Sequence, residues 1–257
     1  MLTALLAAYA AVVGLIVGSY LNVVIYRLPR GLSTVLPRSR CTACGAAIRP
    51  WDNLPLVSYL LLGGRCRVCR SPISWRYPAI EALTGALFLA CFLRFGPRLD
   101  TLAAAVFCAA MVVLAAIDGE HMLLPDRITL PGIAVGIAVQ VWVPWVGLRG
   151  ALFGALLGGG ILLAFDAAYL LIRRRHGMGL GDVKMLAMVG AFLGWKGVVV
   201  TLFASSLAGA VIGLALAYRR RQGLQIALPF GVFLSCGAVL ALFFGAPLVD
   251  AYLGRLQ

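Results

Sequence analysis

The sequence predicts an all-α polytopic membrane protein, with about eight transmembrane helices and one four-cysteine, zinc-ribbon-like loop on the cytoplasmic side. Three observations carry that prediction. The chain is 62% hydrophobic and 12% charged, with a mean hydropathy of +0.99. A soluble domain would carry about a quarter charged residues. Apolar runs close to the ~20 residues that cross a bilayer recur along the chain. One polar stretch, 27–78, is long enough to form a module outside the membrane, and it holds two Cys-x-x-Cys pairs.

The first apolar run, 2–26, lacks a basic start and is longer than the apolar core of a signal peptide, so it reads as a retained span. Spans are expected at 5–25, 79–95, 101–117, 128–146, 151–172, 183–194, 198–218 and 228–248. The sixth is the shortest, and a tilted, re-entrant or partial crossing fits it. Three parts follow: a first transmembrane helix, 1–26, a cysteine loop, 27–78, and a membrane core, 79–257. Pro29, Pro37, Pro50, Pro55, Pro72 and Pro78 predict turns and short strands in the loop.

The net charge of +13 lies between apolar runs and not along one face, so it reads as topology and attraction to membrane lipids, not as nucleic-acid binding. With the loop 27–78 in the cytoplasm, alternating eight spans puts Arg127, Arg173 to Arg175, Lys184 and Arg219 to Arg221 on the same side. Only Arg94, Arg98, Arg149, Lys196 and Arg255 face the other way. Dropping the sixth span would move Arg219 to Arg221 outside, so the charge pattern itself asks for eight, with both termini outside.

On this topology two acids share one membrane level. Asp118 follows the third span directly, and Asp182 opens the sixth after Gly177, Gly179 and Gly181. Acids at such depth are costly, which makes them functional candidates. The plainer reading is two unrelated helix-end acids, with Asp182 as a helix cap. Brought together in a low-dielectric site, two carboxylates share one proton. The ionised member can then take a proton from water while the other donates to a carbonyl oxygen. Glu120 and Asp126, in the same segment as Asp118, read as wetted or capping. Asp166, in the middle of the fifth span, reads as paired inside the bundle.

Cys41, Cys44, Cys66 and Cys69 suit a tetrahedral zinc ion. A disulfide framework is disfavoured in a reducing compartment, and a thioredoxin-like pair does not explain two pairs in tandem. Four protein ligands leave no open position, so the zinc would be structural. Cys91, Cys108 and Cys236, in apolar runs, read as small core residues.

These motifs together resemble a family. Gly179-Leu180-Gly181-Asp182 resembles the Gly-x-Gly-Asp signature of membrane aspartic peptidases. More narrowly, the chain resembles the type IV prepilin peptidases (leader peptidase-N-methyltransferases) over nearly its whole length. The likeness runs through Gly18-Ser19-Tyr20-Leu21-Asn22 to Arg27-Leu28-Pro29, the two cysteine pairs, Arg49-Pro50-Trp51-Asp52-Asn53-Leu54-Pro55 and Arg76-Tyr77-Pro78-Ala79-Ile80-Glu81. It continues through Asp118, Leu124-Pro125-Asp126, the segment from Gly177 to Lys184, and Pro229-Phe230-Gly231. Val232 stands where the family often has another proline.

The resemblance implies that Asp118 and Asp182 are the catalytic pair. It implies a bacterial inner-membrane enzyme that cleaves prepilins and pseudopilins on the cytoplasmic side after a short basic leader. It also implies N-methylation of the freed N-terminus with S-adenosylmethionine as donor; no Gly-rich turn after a strand marks a site for that donor. Asp52, Glu81, Glu120 and Asp126 are the acids that could attract a basic leader, and Glu81 also reads as a helix N-terminal or structural acid. The rival readings are a proton- or cation-coupled transporter using Asp118, Asp166 and Asp182, and a scaffold that docks a partner through the cysteine loop.

Overall fold

A computed structural model describes residues 1–175, 177–220 and 228–254. Arg221 and Arg255, named above, lie outside the described residues. The chain is helical: α1 (Leu2–Arg27), α2 (Val57–Leu61), α3 (Arg76–Phe95), α4 (Leu99–His121), α5 (Asp126–Val139), α6 (Gly147–Arg173), α7 (Leu180–Arg220) and α8 (Phe230–Leu253). In place of the short strands expected in the loop there are two isolated bridges, Arg40 with Ala47 and Arg65 with Pro72.

Among the described residues, six helices are long and apolar enough to cross a membrane: α1, α3, α4, α6, α7 and α8. The count differs from eight for two physical reasons. The fourth expected span is α5, only 14 residues long, or about 21 Å at 1.5 Å per residue against ~30 Å of hydrocarbon. The sixth and seventh follow one another without a loop in α7, which is two helices joined across a kink at Gly194 with φ 66 and ψ −170, and so count as one run. Only glycine enters that backbone region without strain, so the break is written into this one residue.

The chain divides into two units, 1–113 and 114–257. In the first, α1 packs on α3 through small residues. A Cβ on Gly14 would lie 2.8 Å from the Gly85 Cα, and one on Gly18 would lie 2.8 Å from the Glu81 Cα. Lipid offers helices no hydrophobic reason to associate, so such close backbone contact supplies the attraction. Asn22, buried beside this seam, donates to Gly18 O at 3.3 Å and Tyr77 O at 3.1 Å. Arg27 turns back on the following loop, donating to Ser33 O and Pro37 O.

In the second unit the same device joins α6 to α7. A Cβ on Gly154 would sit 2.3 Å from Gly190 O, and one on Gly158 would sit 2.4 Å from Leu186 O. Short α5 lies on α7 with Gly132 under Met188 and Gly136 under Phe192. Gln140, just past α5, is buried and donates to Phe192 O at 3.1 Å while its Oε1 accepts the Val146 N–H. Ser205 of α7 donates to Phe233 O of α8 at 3.0 Å. Cys91 and Cys108 are buried as expected of small core residues, whereas Cys236 is exposed on its helix.

Candidate active site and cysteine module

Asp118 lies one turn from the end of α4 and is 5% exposed. Its Oδ2 accepts the Val232 N–H at 3.2 Å, and the carboxyl also accepts the Gly231 N–H. These are first-turn amides of α8, whose cap residue, Pro229, has no side-chain acceptor. The first amides of a helix lack intrahelical partners, and Asp118 supplies one from another helix. Capping of this kind is worth about 0.5–2 kcal/mol. Gly231 makes room for it, since a Cβ there would fall 2.8 Å from Asp118 Oδ2. The motif Pro229-Phe230-Gly231 is therefore the receiving side of Asp118. At Val232 a proline would lack the N–H that donates here.

Asp182 is the third residue of α7 and half-buried, with its N–H on Gly179 O at 3.1 Å. Its carboxylate is within electrostatic range of that of Asp118. The bare Gly181 lets the start of α7 touch Leu124, which a Cβ would approach to 2.8 Å, and Leu124 Cδ2 would lie 3.0 Å from a Cβ on Gly231. Leu124, 8% exposed, is thus a wedge between the two acid-bearing segments. The chain returns to place it through Met122, which takes φ 49, a left-handed conformation costly for a side-chain-bearing residue. Pro125 caps α5, and Asp126 pairs with Lys184 Nζ at 2.7 Å, pinning the start of α5 to that of α7.

The other acids are committed elsewhere. Asp126, expected to be wetted or capping, holds Lys184. Asp52 forms a two-pronged pair with Arg67, at 2.6 and 2.9 Å, and that guanidinium holds its carboxyl below the usual range. Glu81 is 8% exposed and accepts the Leu56 N–H at 2.8 Å and the Ser19 hydroxyl. Glu81 therefore ties the loop to α1 and α3, the structural alternative of the two weighed for it. Glu120 lies 3.9 Å from His121. Asp166, expected to be paired within the bundle, accepts backbone amides of the segment that follows α6.

Cys41, Cys44, Cys66 and Cys69 bring their four sulfurs within 4.8 Å of one another. A tetrahedral site with Zn–S near 2.3 Å needs sulfurs about 3.8 Å apart, and Cys41 and Cys69 stand at 3.9 Å. The donor set thus fits a structural zinc ion. Each pair forms the same knuckle. Gly45 N–H donates to Cys41 O, and Arg70 N–H donates to Cys66 O. The residue after each second cysteine is left-handed, Gly45 at φ 71 and Arg70 at φ 59. Backbone amides of Cys44 and Ala43 pull the Cys41 thiol down to about 6. Cys44, although it accepts the Ala46 amide, is pushed up to about 11 by burial and by the neighbouring thiols. Ser71 lowers Cys69.

A recess of about 330 Å³ in the first unit is lined by Ser19 and Tyr20 of α1 and by Asn53 and Leu54 of the loop, among others, none of them charged. S-adenosylmethionine carries a sulfonium, an ammonium and a carboxylate. The lining offers those charged ends no counter-charge, so no step of methyl transfer is placed there. Sequence reasoning missed Leu124 as a wedge and the seams built on Gly14 and Gly18 and on Gly154 and Gly158. The latter were visible as small residues four apart within apolar runs.

The fold and site define a multi-pass membrane protein with two helix-end aspartates in its second unit and a four-thiol cluster in its first. Residues 12–95 match the bacterial peptidase A24 N-terminal domain, and residues 105–214 match the type IV leader peptidase family. Curated relatives carry the name prepilin leader peptidase/N-methyltransferase. One from Burkholderia pseudomallei is 40% identical, covering 93% of this chain and 86% of the relative. One from Pseudomonas putida is 38% identical, covering 92% and 90%. One from Pseudomonas aeruginosa is 36% identical, covering 93% and 91%. No solved structure matches. The chain belongs to the type IV leader peptidase family.

Proposed function

We propose that this protein is an aspartic endopeptidase that removes the basic leader from type IV prepilins and pseudopilins and then N-methylates the new N-terminus. The observation that carries the reading is the convergence on Leu124. Gly181, which precedes Asp182, and Gly231, which receives Asp118, both close on this one side chain, while Asp126 and Lys184 lock the same corner. Nothing in a helix-end role for either acid accounts for that assembly.

In this mechanism one of the two carboxyls is ionised and the other holds a proton. The ionised one takes a proton from a water as its oxygen attacks the scissile carbonyl, and the protonated one donates to the carbonyl oxygen. The tetrahedral intermediate collapses as a proton passes from the pair to the departing amine. No covalent enzyme intermediate forms. The relatives' names support both activities, and N-methyl transfer implies S-adenosylmethionine as donor. The four thiolates of Cys41, Cys44, Cys66 and Cys69 would hold a structural zinc. Residues 79–257 are the peptidase core behind the first helix, 1–26, and the zinc loop, 27–78.

Counting α5 with the turn after it, and each half of the kinked α7, as crossings, the arginine pattern supports an inner-membrane protein with the site facing the cytoplasm and both termini outside. Labelling engineered cysteines with membrane-impermeant reagents tests this. If positions flanking Asp118 and Asp182 were reached from opposite sides, the arrangement would be wrong. The transporter reading loses Asp166, whose carboxylate is occupied by backbone amides. In detergent, the purified protein is expected to cleave a model prepilin, and Asp118→Asn and Asp182→Asn are each expected to abolish cleavage. Cleavage by either variant would show that one carboxyl suffices and end the paired mechanism.

A further inference from the structure

Of the buried acids that the chemistry does not use, Glu81 ties the loop to α1 and α3, and Asp166 lies next to the catalytic segment. Asp166 is 7% exposed and projects from α6 two turns before that helix ends at Arg173. Its Oδ1 accepts the Gly177 N–H at 2.9 Å and the Met178 N–H at 3.2 Å. Those two residues lead directly into Gly179-Leu180-Gly181-Asp182. Tyr169, three residues on from Asp166 and so on the same helix face, stands beside them. A Cβ on Gly177 would lie 2.6 Å from the Tyr169 ring. The chain leaving α6 is thus held by an acceptor at its amides and a ring against its bare glycine, a turn before the residue that carries the catalytic carboxyl.

The neighbours of this segment make such a clamp necessary. α6 ends in a left-handed residue, Arg174 at φ 53, and the Asp182 N–H meets Gly179 O at the start of α7. Between those points the Gly177 and Met178 amides find their acceptor in the Asp166 side chain. Where Asp182 points is set by the direction in which α7 starts, and that direction is set by Gly177 to Gly179.

We propose that Asp166 is a positioning residue of the peptidase: by accepting the amides of Gly177 and Met178 it fixes the path into the Gly-x-Gly-Asp segment and so holds the Asp182 carboxyl opposite Asp118. This rests on the peptidase reading above. What the clamp requires is an acceptor oxygen of the right shape, not a titrating acid, and that separates it from a proton-relay role.

The full-length protein in detergent tests it with two substitutions. Asp166→Asn keeps an acceptor oxygen in place, and Asp166→Ala removes it. A small displacement of a reacting group costs up to about 100-fold in rate. Asp166→Ala is therefore expected to lower kcat for model prepilin by roughly 10- to 100-fold with KM within about twofold, and Asp166→Asn to stay within about threefold of the parent. Amide exchange of the peptide spanning 174–180 should lose protection in Asp166→Ala and keep it in Asp166→Asn.

Parent-like kcat in Asp166→Ala overturns the proposal. So does an Asp166→Asn variant as slow as Asp166→Ala, which would make the charge and not the acceptor the requirement. A rise in KM with kcat unchanged would make Asp166 a substrate contact and overturn it as well. If the parent protein cleaves no prepilin, the peptidase reading falls, and the exchange pattern still decides whether the clamp exists.

Discussion

The four cysteines of the first unit and the two aspartates of the second are each gathered from distant parts of the chain, by different forces. The thiols sit in a polar loop on two short knuckles, with little core around them. Four thiolates so placed could bind a metal ion, and that ion would supply their cohesion. The aspartates sit at helix ends in apolar surroundings, where a bare carboxylate is expensive. Asp118 is held by the open amides of α8, and the approach of the elements depends on side chains that are missing, at Gly181 and Gly231. A module held by an ion fails all at once when one ligand goes. A site held by backbone fit fails by displacement, with the fold intact.

The largest expected effect is on the cysteine module. Structural zinc in small peptides contributes on the order of 10–16 kcal/mol of folding free energy. Cys41→Ser is expected to release the metal, measured by elemental analysis, and to open 27–78 to protease while the helices survive. Full metal content in that variant would show that the four-thiol site is not what binds. Assaying cleavage and methylation of the same sample sharpens the comparison. Normal cleavage with failed methylation would assign the loop to the second activity alone.

A smaller effect is expected at the acid site. In Gly231→Ala the new methyl falls 2.8 Å from Asp118 Oδ2 and 3.0 Å from Leu124. Displacing the carboxyl by a fraction of an ångström to an ångström is expected to slow cleavage by about 100-fold, with metal content unchanged and helicity by circular dichroism preserved. If cleavage is unaffected, the receiving side of Asp118 is softer than the geometry implies.

The smallest effect compares the knuckles with each other. Gly45 and Arg70 take the same left-handed turn, which costs a side-chain-bearing residue about 1–2 kcal/mol. Arg70→Gly is expected to stabilise the module by about 1 kcal/mol, read as slower proteolysis of the metal-loaded loop. Faster proteolysis would mean that Arg70 makes contacts that outweigh its strain.

The acids, the cysteine pairs and most of the helices were legible from residue type and position, because each announces itself locally. A run of apolar residues must cross or be buried, and Cys-x-x-Cys sets its own sulfurs near one another. What misled was length. The short fourth segment looks like a full span to a hydropathy pattern, while the two runs either side of Gly194 are two helices that meet without a loop. Hydropathy cannot see that one glycine in a backbone region closed to other residues joins those two helices directly.

By itself the sequence determined that this is a membrane protein, which four thiols come together, and which two acids stand at helix ends. Those are properties of neighbours along the chain. Only the tertiary structure decided that Asp118 meets amides 114 residues away, that Leu124 wedges Gly181 against Gly231, and that Asp166 serves the segment after its own helix. The physical reason is that an open amide or a missing Cβ has no local signature. Its partner is chosen by packing, after the helices have formed.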